Sequence, residues 1–324
     1  MTGHRPIALE PSVERLSDGG ARGAARRFFL ATRPKFLTAS VLPVILGNLW
    51  GAQLAGELDV PAFLISLFAV ALVHSGANVL NDVFDDISGA DVDNDTRIHP
   101  YTGGSRFIQN GVMSRSTMFA WGASLIAGGV VLGAVLSGLK GLPVVYLGVA
   151  GAALGVAYSA PPLKLSYRGL GEISVAVAFG VLPVTGAAWL QSGLWSWEAV
   201  SLSLPVSFWI ATVVLVNEVP DAEADTAAGK LTLPARLGRT ASLWLYRGLQ
   251  GLSALTALAL AVAGILSVWA ALVPALLALA GVVIASPIRD APLTSPALRR
   301  QIEITLAIHA AGTTWLIVAF WFGP

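Results

Sequence analysis

The sequence contains no cysteine, which excludes disulfides, zinc–thiolate sites and thiolate nucleophiles. Charge is scarce as well. Asp, Glu, Lys and Arg make up 12% of the chain, against roughly 25% in a soluble domain. With 55% hydrophobic residues and a mean hydropathy of +0.71, the composition excludes an ordinary soluble domain and implies an integral membrane protein. A net charge of +1 offers no basic footprint for nucleic acid.

Long apolar runs are what the sequence does have. A spanning helix needs about 20 apolar residues, and the 324 residues divide into nine such stretches: 36–54, 61–84, 117–136, 142–158, 172–190, 200–219, 241–263, 267–285 and 302–322. The expected fold is all-α, a polytopic membrane bundle of nine transmembrane helices with a polar cytoplasmic cap of loops. Residues 1–32 read as a poorly ordered cytoplasmic tail ending in an interfacial helix, and 33–324 as the intramembrane domain. Arg22, Arg26 and Arg27 precede only Phe28-Phe29-Leu30, too short an apolar run for a signal-peptide core.

The loops alternate. Those after the even-numbered spans are longer and polar; those after the odd-numbered spans are short. Of the 20 Lys and Arg residues, only Lys140 falls on the short-loop side. The positive-inside rule then puts the N-terminus and the polar loops in the cytoplasm and the C-terminus outside. Trp50, Trp195, Trp197, Trp269 and Trp321 fall near span ends, as in an aromatic belt; Trp209 and Trp315 read as packing residues. Gly148, Gly151 and Gly155 share a face that suits close helix packing or the passage of a long apolar ligand.

Chemistry concentrates in two blocks. Asn81 to Asp91 follows an almost uncharged run and carries Asp82, Asp85, Asp86 and Asp91. Carboxylates this close repel one another and are costly near lipid, so a cation should compensate them. The oxygen-only ligand set suits Mg2+, which commonly bridges one or two carboxylates to substrate phosphates; the alternative is a solvated acidic helix end. Asn78, Asp82 and Asp85 share one helical face, and Asn81 pairs with Asp85 at i, i+4. The second block closes the sixth span. Asn217, Asp221 and Asp225 again share a face, although Pro220 could kink it, and Lys230, Arg236 and Arg239 follow. Two acidic faces beside basic loops suit a diphosphate held by Mg2+, with Lys and Arg neutralising the remaining charge. A third string, Tyr158 to Arg168, contains Pro161-Pro162 and reads as a rigid connector whose Lys164 and Arg168 could reach a phosphate.

These motifs resemble those of the UbiA superfamily of intramembrane prenyltransferases: Asn81-Asp82-x-x-Asp85 with Asp91, then Asn217-x-x-x-Asp221-x-x-x-Asp225 with Gly229-Lys230. The likeness covers about residues 33 to 322. Arg33-Pro34-Lys35, Gly103-Gly104-Ser105 and Tyr167 to Glu172 are similar to the 1,4-dihydroxy-2-naphthoate polyprenyltransferases of menaquinone synthesis. One position departs: that branch often has arginine before the first aspartate of the second block, and here it is Pro220, with Glu218 upstream. The resemblance implies ionisation of an allylic polyprenyl diphosphate and attack by a small aromatic acceptor. It implies Asp82, Asp85, Asp221 and Asp225 as Mg2+ ligands and Asp91 as a further catalytic residue. Asn78, Asn81, Tyr158 and Asn217 are implied as substrate-positioning groups, and Arg106, Lys164 and Lys230 as phosphate clamps. The polyprenyl tail is expected to run between helices into lipid.

Weaker signals point elsewhere. Asp91-x-Asp93-x-Asp95 begins like a calcium loop but lacks the required Gly and Glu. His74 and His309 read as hydrogen-bonded bundle histidines. A secondary transporter remains a rival, though its acids usually lie near the midplane. A CDP-alcohol phosphotransferase does not fit, because its Asp-Gly-x-x-Ala-Arg string is missing.

Overall fold

A computed structural model describes residues 10–16, 19–91 and 94–321, and the regular secondary structure among them is all helical. Helix α1 (Gly20–Ala31) lies ahead of the bundle. Nine helices then follow: α2 (Thr38–Ala55), α3 (Val60–Ser88), α4 (Arg115–Lys140), α5 (Pro143–Ser159), α6 (Gly171–Ser192), α7 (Trp197–Ala227), α8 (Leu233–Val262), α9 (Val268–Asp290) and α10 (Pro296–Trp321). All but α5 are long and apolar enough to cross a membrane. Helix α5 has 17 residues, about 25 Å of rise, against a hydrocarbon core of about 30 Å.

Helices pack closely where side chains are absent. A Cβ on Gly47 or Gly51 of α2 would collide with the α6 backbone at Val184 and Ala188, and one on Gly76 of α3 would lie 2.8 Å from the Gly122 carbonyl of α4. Gly148 and Gly151 differ: an added Cβ there meets nothing within 4 Å. They line an apolar cavity instead of a helix contact, which corrects the packing reading of that face. Trp209 is fully buried against Gly312, as expected of a packing residue. The bundle turns apolar side chains outward, among them Phe68, Val131, Leu255 and Val283, as a lipid-facing surface requires.

The two ends of the bundle differ. At one end Asp59 caps α3 and pairs with Lys140 at 2.7 Å, while Gln191 bonds Asn48 and the Asp59 backbone. Trp195, Trp197 and Trp269 are exposed at this end, but Trp50 is buried and donates to Ser196. The side chain of Trp321 lies outside the described residues. At the other end, α3 has 29 residues and α7 has 31, or about 43 and 46 Å. Both exceed the hydrocarbon core, so their aspartate-bearing ends overhang it.

The segment expected to be a loose tail contributes to that polar end. Glu10 is buried and accepts from Arg97 Nε at 2.6 Å, Arg27 donates to the Leu16 carbonyl, and Phe28 packs edge-on to Trp121. This segment reads as disordered from composition because Arg, Gly and Ala dominate; tertiary contacts with the 94–110 loop supply the order. Residues 1–9 lie outside the described part.

Candidate active site

An acidic helix C-terminus is electrostatically unfavourable, because aspartates meet the negative end of the helix dipole. Here α3 and α7 both end this way, and each is turned so that a cation can approach. Helix α7 closes with Gly229 at φ 75°; Gly229 N–H donates to the Thr226 carbonyl and Lys230 N–H to the Asp225 carbonyl. This paired cap throws Lys230 back over the acids, with Nζ 3.3 Å from Asp85 Oδ2 and 3.5 Å from Asp225 Oδ1. Burial alone would lower the Lys230 pKa, but the Asp85 and Asp225 charges hold it well above the usual lysine value, so it stays protonated.

Each aspartate is held differently. Asp85 accepts from Asn81 at 2.9 Å and lies 3.0 Å from the Tyr167 hydroxyl; Asn81 also donates to Ser159. Asp82 Oδ2 accepts from Ser105 N–H at 3.2 Å, and its Oδ1 lies 3.8 Å from Arg33. Asp221 accepts from Asn94 Nδ2 at 2.7 Å and from Gly103 N–H at 3.0 Å, which ties the 94–105 loop across the top of α7. Thr96 adds a bond to the Pro220 carbonyl. Asp86 turns away to Arg115. Burial, then the charges of Asp85 and Asp82, push the Asp91 carboxyl well above the usual carboxylate range.

Most of the expected site residues converge. Asn78, Asn81, Asp85, Asp91, Tyr158, Asn217, Asp221, Asp225 and Lys230 line one cavity of about 230 Å³. Asp82 stands just behind it, beside Gly104. Two residues do not line it. Arg106 is buried beneath the loop, where its left-handed backbone turns the guanidinium onto the Asp91 carbonyl. Lys164 sits over the outer face of the Tyr167 ring, 4.7 Å from its centre. Neither is placed as a direct phosphate clamp. Asp93, of the calcium-like string, lies outside the described residues.

Several cavity residues escaped the sequence reading. Arg33 lines it with its Nε unbonded, Tyr101 joins from a loop, and Ser159 from the last turn of α5. His74 bonds Ser40 through Nδ1 at 2.8 Å and packs edge-on to Phe179, in the π turn Val177–Val181 of α6. His309 Nε2 has no hydrogen-bond partner among the described residues, unlike the bonded histidine expected. Val73, His74, Ala77, Gly155 and Phe179 also line a second, apolar cavity that continues between α3, α5 and α6. Polar head and apolar channel are thus contiguous.

Among the described residues, no three His, Asp or Glu side chains close on one point as a protein-only metal cage would need. Magnesium does not need one, since it is commonly held by one or two carboxylates together with phosphate oxygens and water. The donor set fits that mode. Asp82 Oδ1, Asp91 Oδ2 and Asp225 Oδ2 are buried acceptors without a hydrogen-bond donor, and Asp82 Oδ1 and Asp91 Oδ2 both face Gly104.

Known proteins share this architecture. The family model "UbiA prenyltransferase family" matches residues 40–301. UbiA prenyltransferase domain-containing protein 1 homolog of Drosophila melanogaster is 30% identical over 237 residues, 71% of this chain; the chain spans 63% of that relative's own length. 1,4-Dihydroxy-2-naphthoate octaprenyltransferase of Mycobacterium tuberculosis is 30% identical over 238 residues, 72% of this chain and 74% of the relative. Among solved structures, a UbiA homolog from Archaeoglobus fulgidus bound to DMAPP and Mg2+ superposes with a TM-score of 0.67 at 17% identity, over 91% of this chain and 99% of that one.

Proposed function

Because this chain belongs to the UbiA prenyltransferase family, we propose that it transfers a polyprenyl group from an allylic prenyl diphosphate to 1,4-dihydroxy-2-naphthoate, releasing diphosphate and carbon dioxide. One observation carries the reading: a buried cluster of carboxylates and two cations opens directly into an apolar channel between α3, α5 and α6. A prenyl diphosphate has this polarity, a polyanionic head on a long hydrocarbon. The acceptor is argued from the Mycobacterium tuberculosis relative's name and from the motifs shared with that branch.

Asp82, Asp85, Asp221 and Asp225 would hold Mg2+, which when bound neutralises charge developing on the departing diphosphate. Lys230 and Arg33 add fixed positive charge on the same side. Asn81 holds Asp85 in place, and Asn78 anchors the start of the bundle through the Thr32 carbonyl. The apolar walls keep water from the allylic cation, so that the ring carbon is its nucleophile. The polar end faces the cytoplasm in this reading, where soluble aromatic acceptors are made.

The test is the mass of the product formed when membranes carrying the protein receive geranylgeranyl diphosphate, Mg2+ and a panel of aromatic acceptors. A prenylated, decarboxylated naphthol is expected, and a chelator should abolish it. Turnover that survives chelation would sink the metal–diphosphate part. A product from another ring alone would sink the acceptor.

A further inference from the structure

Two glutamates from different helices meet beside the cavity, Glu172 at the start of α6 behind its wall and Glu218 on α7 within it. Both are more than nine-tenths buried, at 3% and 8% exposure. Their carboxyl groups are within hydrogen-bond reach of each other, and apart from the backbone N–H of Glu172 no described group donates to their four oxygens. Glu218 lines the cavity. Gly171 leaves the room, since a Cβ there would lie 3.2 Å from Glu218 Oε1 and 3.6 Å from the Tyr158 ring. The cavity's two cations, Arg33 and Lys230, are engaged by Asp82 and by Asp85 and Asp225 respectively.

Two ionised carboxylates side by side in such a place repel too strongly to persist, and neighbouring acids of this kind share a proton. The pair therefore holds one proton and has room for one more. Buried acceptors without donors are costly, and a substrate hydroxyl is the group that would complete them. A substrate carboxylate would not, because it brings a third negative charge.

We propose that the Glu172–Glu218 pair binds a ring hydroxyl of the aromatic acceptor and takes its proton during prenyl transfer. This rests on the prenyl-transfer reading above. As the allylic C–O bond breaks, its electron pair leaves on the diphosphate. The ring carbon's electron pair forms the new C–C bond, and the hydroxyl proton passes to Glu218. Loss of the displaced ring substituent, a proton or carbon dioxide, then restores aromaticity. Glu218 is the catalytic residue in this scheme and Glu172 a positioning residue that keeps it in the proton-accepting state.

The experiment compares wild type, Glu218→Gln and Glu172→Gln as full-length protein in liposomes, with a series of naphthols of rising acidity. In either variant an amide N–H meets the remaining carboxylate, so the pair's geometry is preserved; thermal stabilisation by prenyl diphosphate with Mg2+ reports folding and donor binding. General-base loss typically costs 10²–10⁴-fold. We expect kcat to fall about 100-fold or more in Glu218→Gln with a weakly acidic naphthol, with donor stabilisation unchanged. An electron-poor fluorinated naphthol should recover at least about tenfold of that loss, because it needs less help to lose its proton. Glu172→Gln should show the same rescue with a smaller loss. Transfer within about threefold of wild type in both variants, or an equal loss for every naphthol, overturns the proposal. If wild type transfers to no hydroxylated ring at all, the prenyl-transfer reading itself fails.

Discussion

At the scale of single residues, the site depends on a position with no side chain. Gly104 has φ +72°, and a Cβ added there would collide with Asp91 Oδ2 and lie 3.1 Å from Asp82 Oδ1. Gly104→Ala therefore carries two costs, about 1–2 kcal/mol of left-handed backbone strain and displacement of two carboxylates. Gly111 supplies the control, since it has φ +68° but nothing within 4 Å of an added Cβ. Both alanine variants should lose thermal stability, Gly104→Ala the more. Only Gly104→Ala should also lose activity, by at least about tenfold in kcat/KM for the prenyl diphosphate, equivalent to about 1.4 kcal/mol. Steady-state kinetics on the two variants checks this, and equal activity would show that the carboxylates tolerate the displacement. The same scale shows why Arg106 and Lys164 were misjudged. A basic residue near an acidic block in sequence carries no direction, and left-handed turns at both positions aim these side chains elsewhere. Asn81, Asp85, Asn217, Asp221 and Asp225 were legible because helical spacing does fix direction. Arg33, Tyr101 and Glu172 come from other elements, and only tertiary folding brings them in.

At the scale of elements, all nine helices of the bundle were legible as apolar runs, although only eight are long enough to span and α5, at 17 residues, is not. Boundaries failed where polarity masked helix. Helix α8 begins at Leu233, not near 241, because its first turns are polar and break at Gly238, where φ 74° and ψ 169° interrupt the helix. The order of the 94–110 loop was not legible at all. It is set by Asp221 on one side and by Glu10 on the other, a residue more than eighty positions upstream of its partner Arg97. Arg97 and Glu10 side chains are 2% and 0% exposed. Removing one member of so buried a pair typically costs about 3–5 kcal/mol, whereas replacing both costs far less. Arg97→Met should lower the melting temperature in detergent substantially, and Glu10→Gln in the same chain should restore part of it. Acid should act similarly. Burial raises the Glu10 carboxyl, but the Arg97 hydrogen bond and charge win and hold it below its ordinary 4.5. The pair's stabilisation is then full above about pH 4.5 and is lost as pH falls through the lowered value. A melting temperature that is equally acid-sensitive in wild type and in the double variant would remove the clamp from this account.

At the scale of the whole molecule, the two ends of the bundle have opposite characters, and the difference motivates the orientation we propose. Arg33, Arg97, Arg106, Arg115 and Lys230 cluster with the acids at the end where α3 and α7 overhang; Lys140 stands with Asp59 and the exposed Trp195, Trp197 and Trp269 at the other. On the orientation we propose, Lys and Arg are retained on the cytoplasmic side and the cavity mouth opens inside the cell. The chain allows a clean test because it has no cysteine, so a single introduced thiol reports its own side. Ser116, at the start of α4, and Leu194, between α6 and α7, are both exposed and lie at opposite ends. In intact cells a membrane-impermeant maleimide should label Leu194→Cys and leave Ser116→Cys unmodified until the membrane is permeabilised. The reverse pattern would invert the molecule and put the acidic cavity on the outer face, out of reach of a cytoplasmic acceptor. The family fold would survive that result, but the proposed substrate supply would not. Labelling at both positions in intact cells would mean that a mixed population inserts, and the charge bias at the polar end would then be too weak to fix the orientation that the proposed chemistry requires.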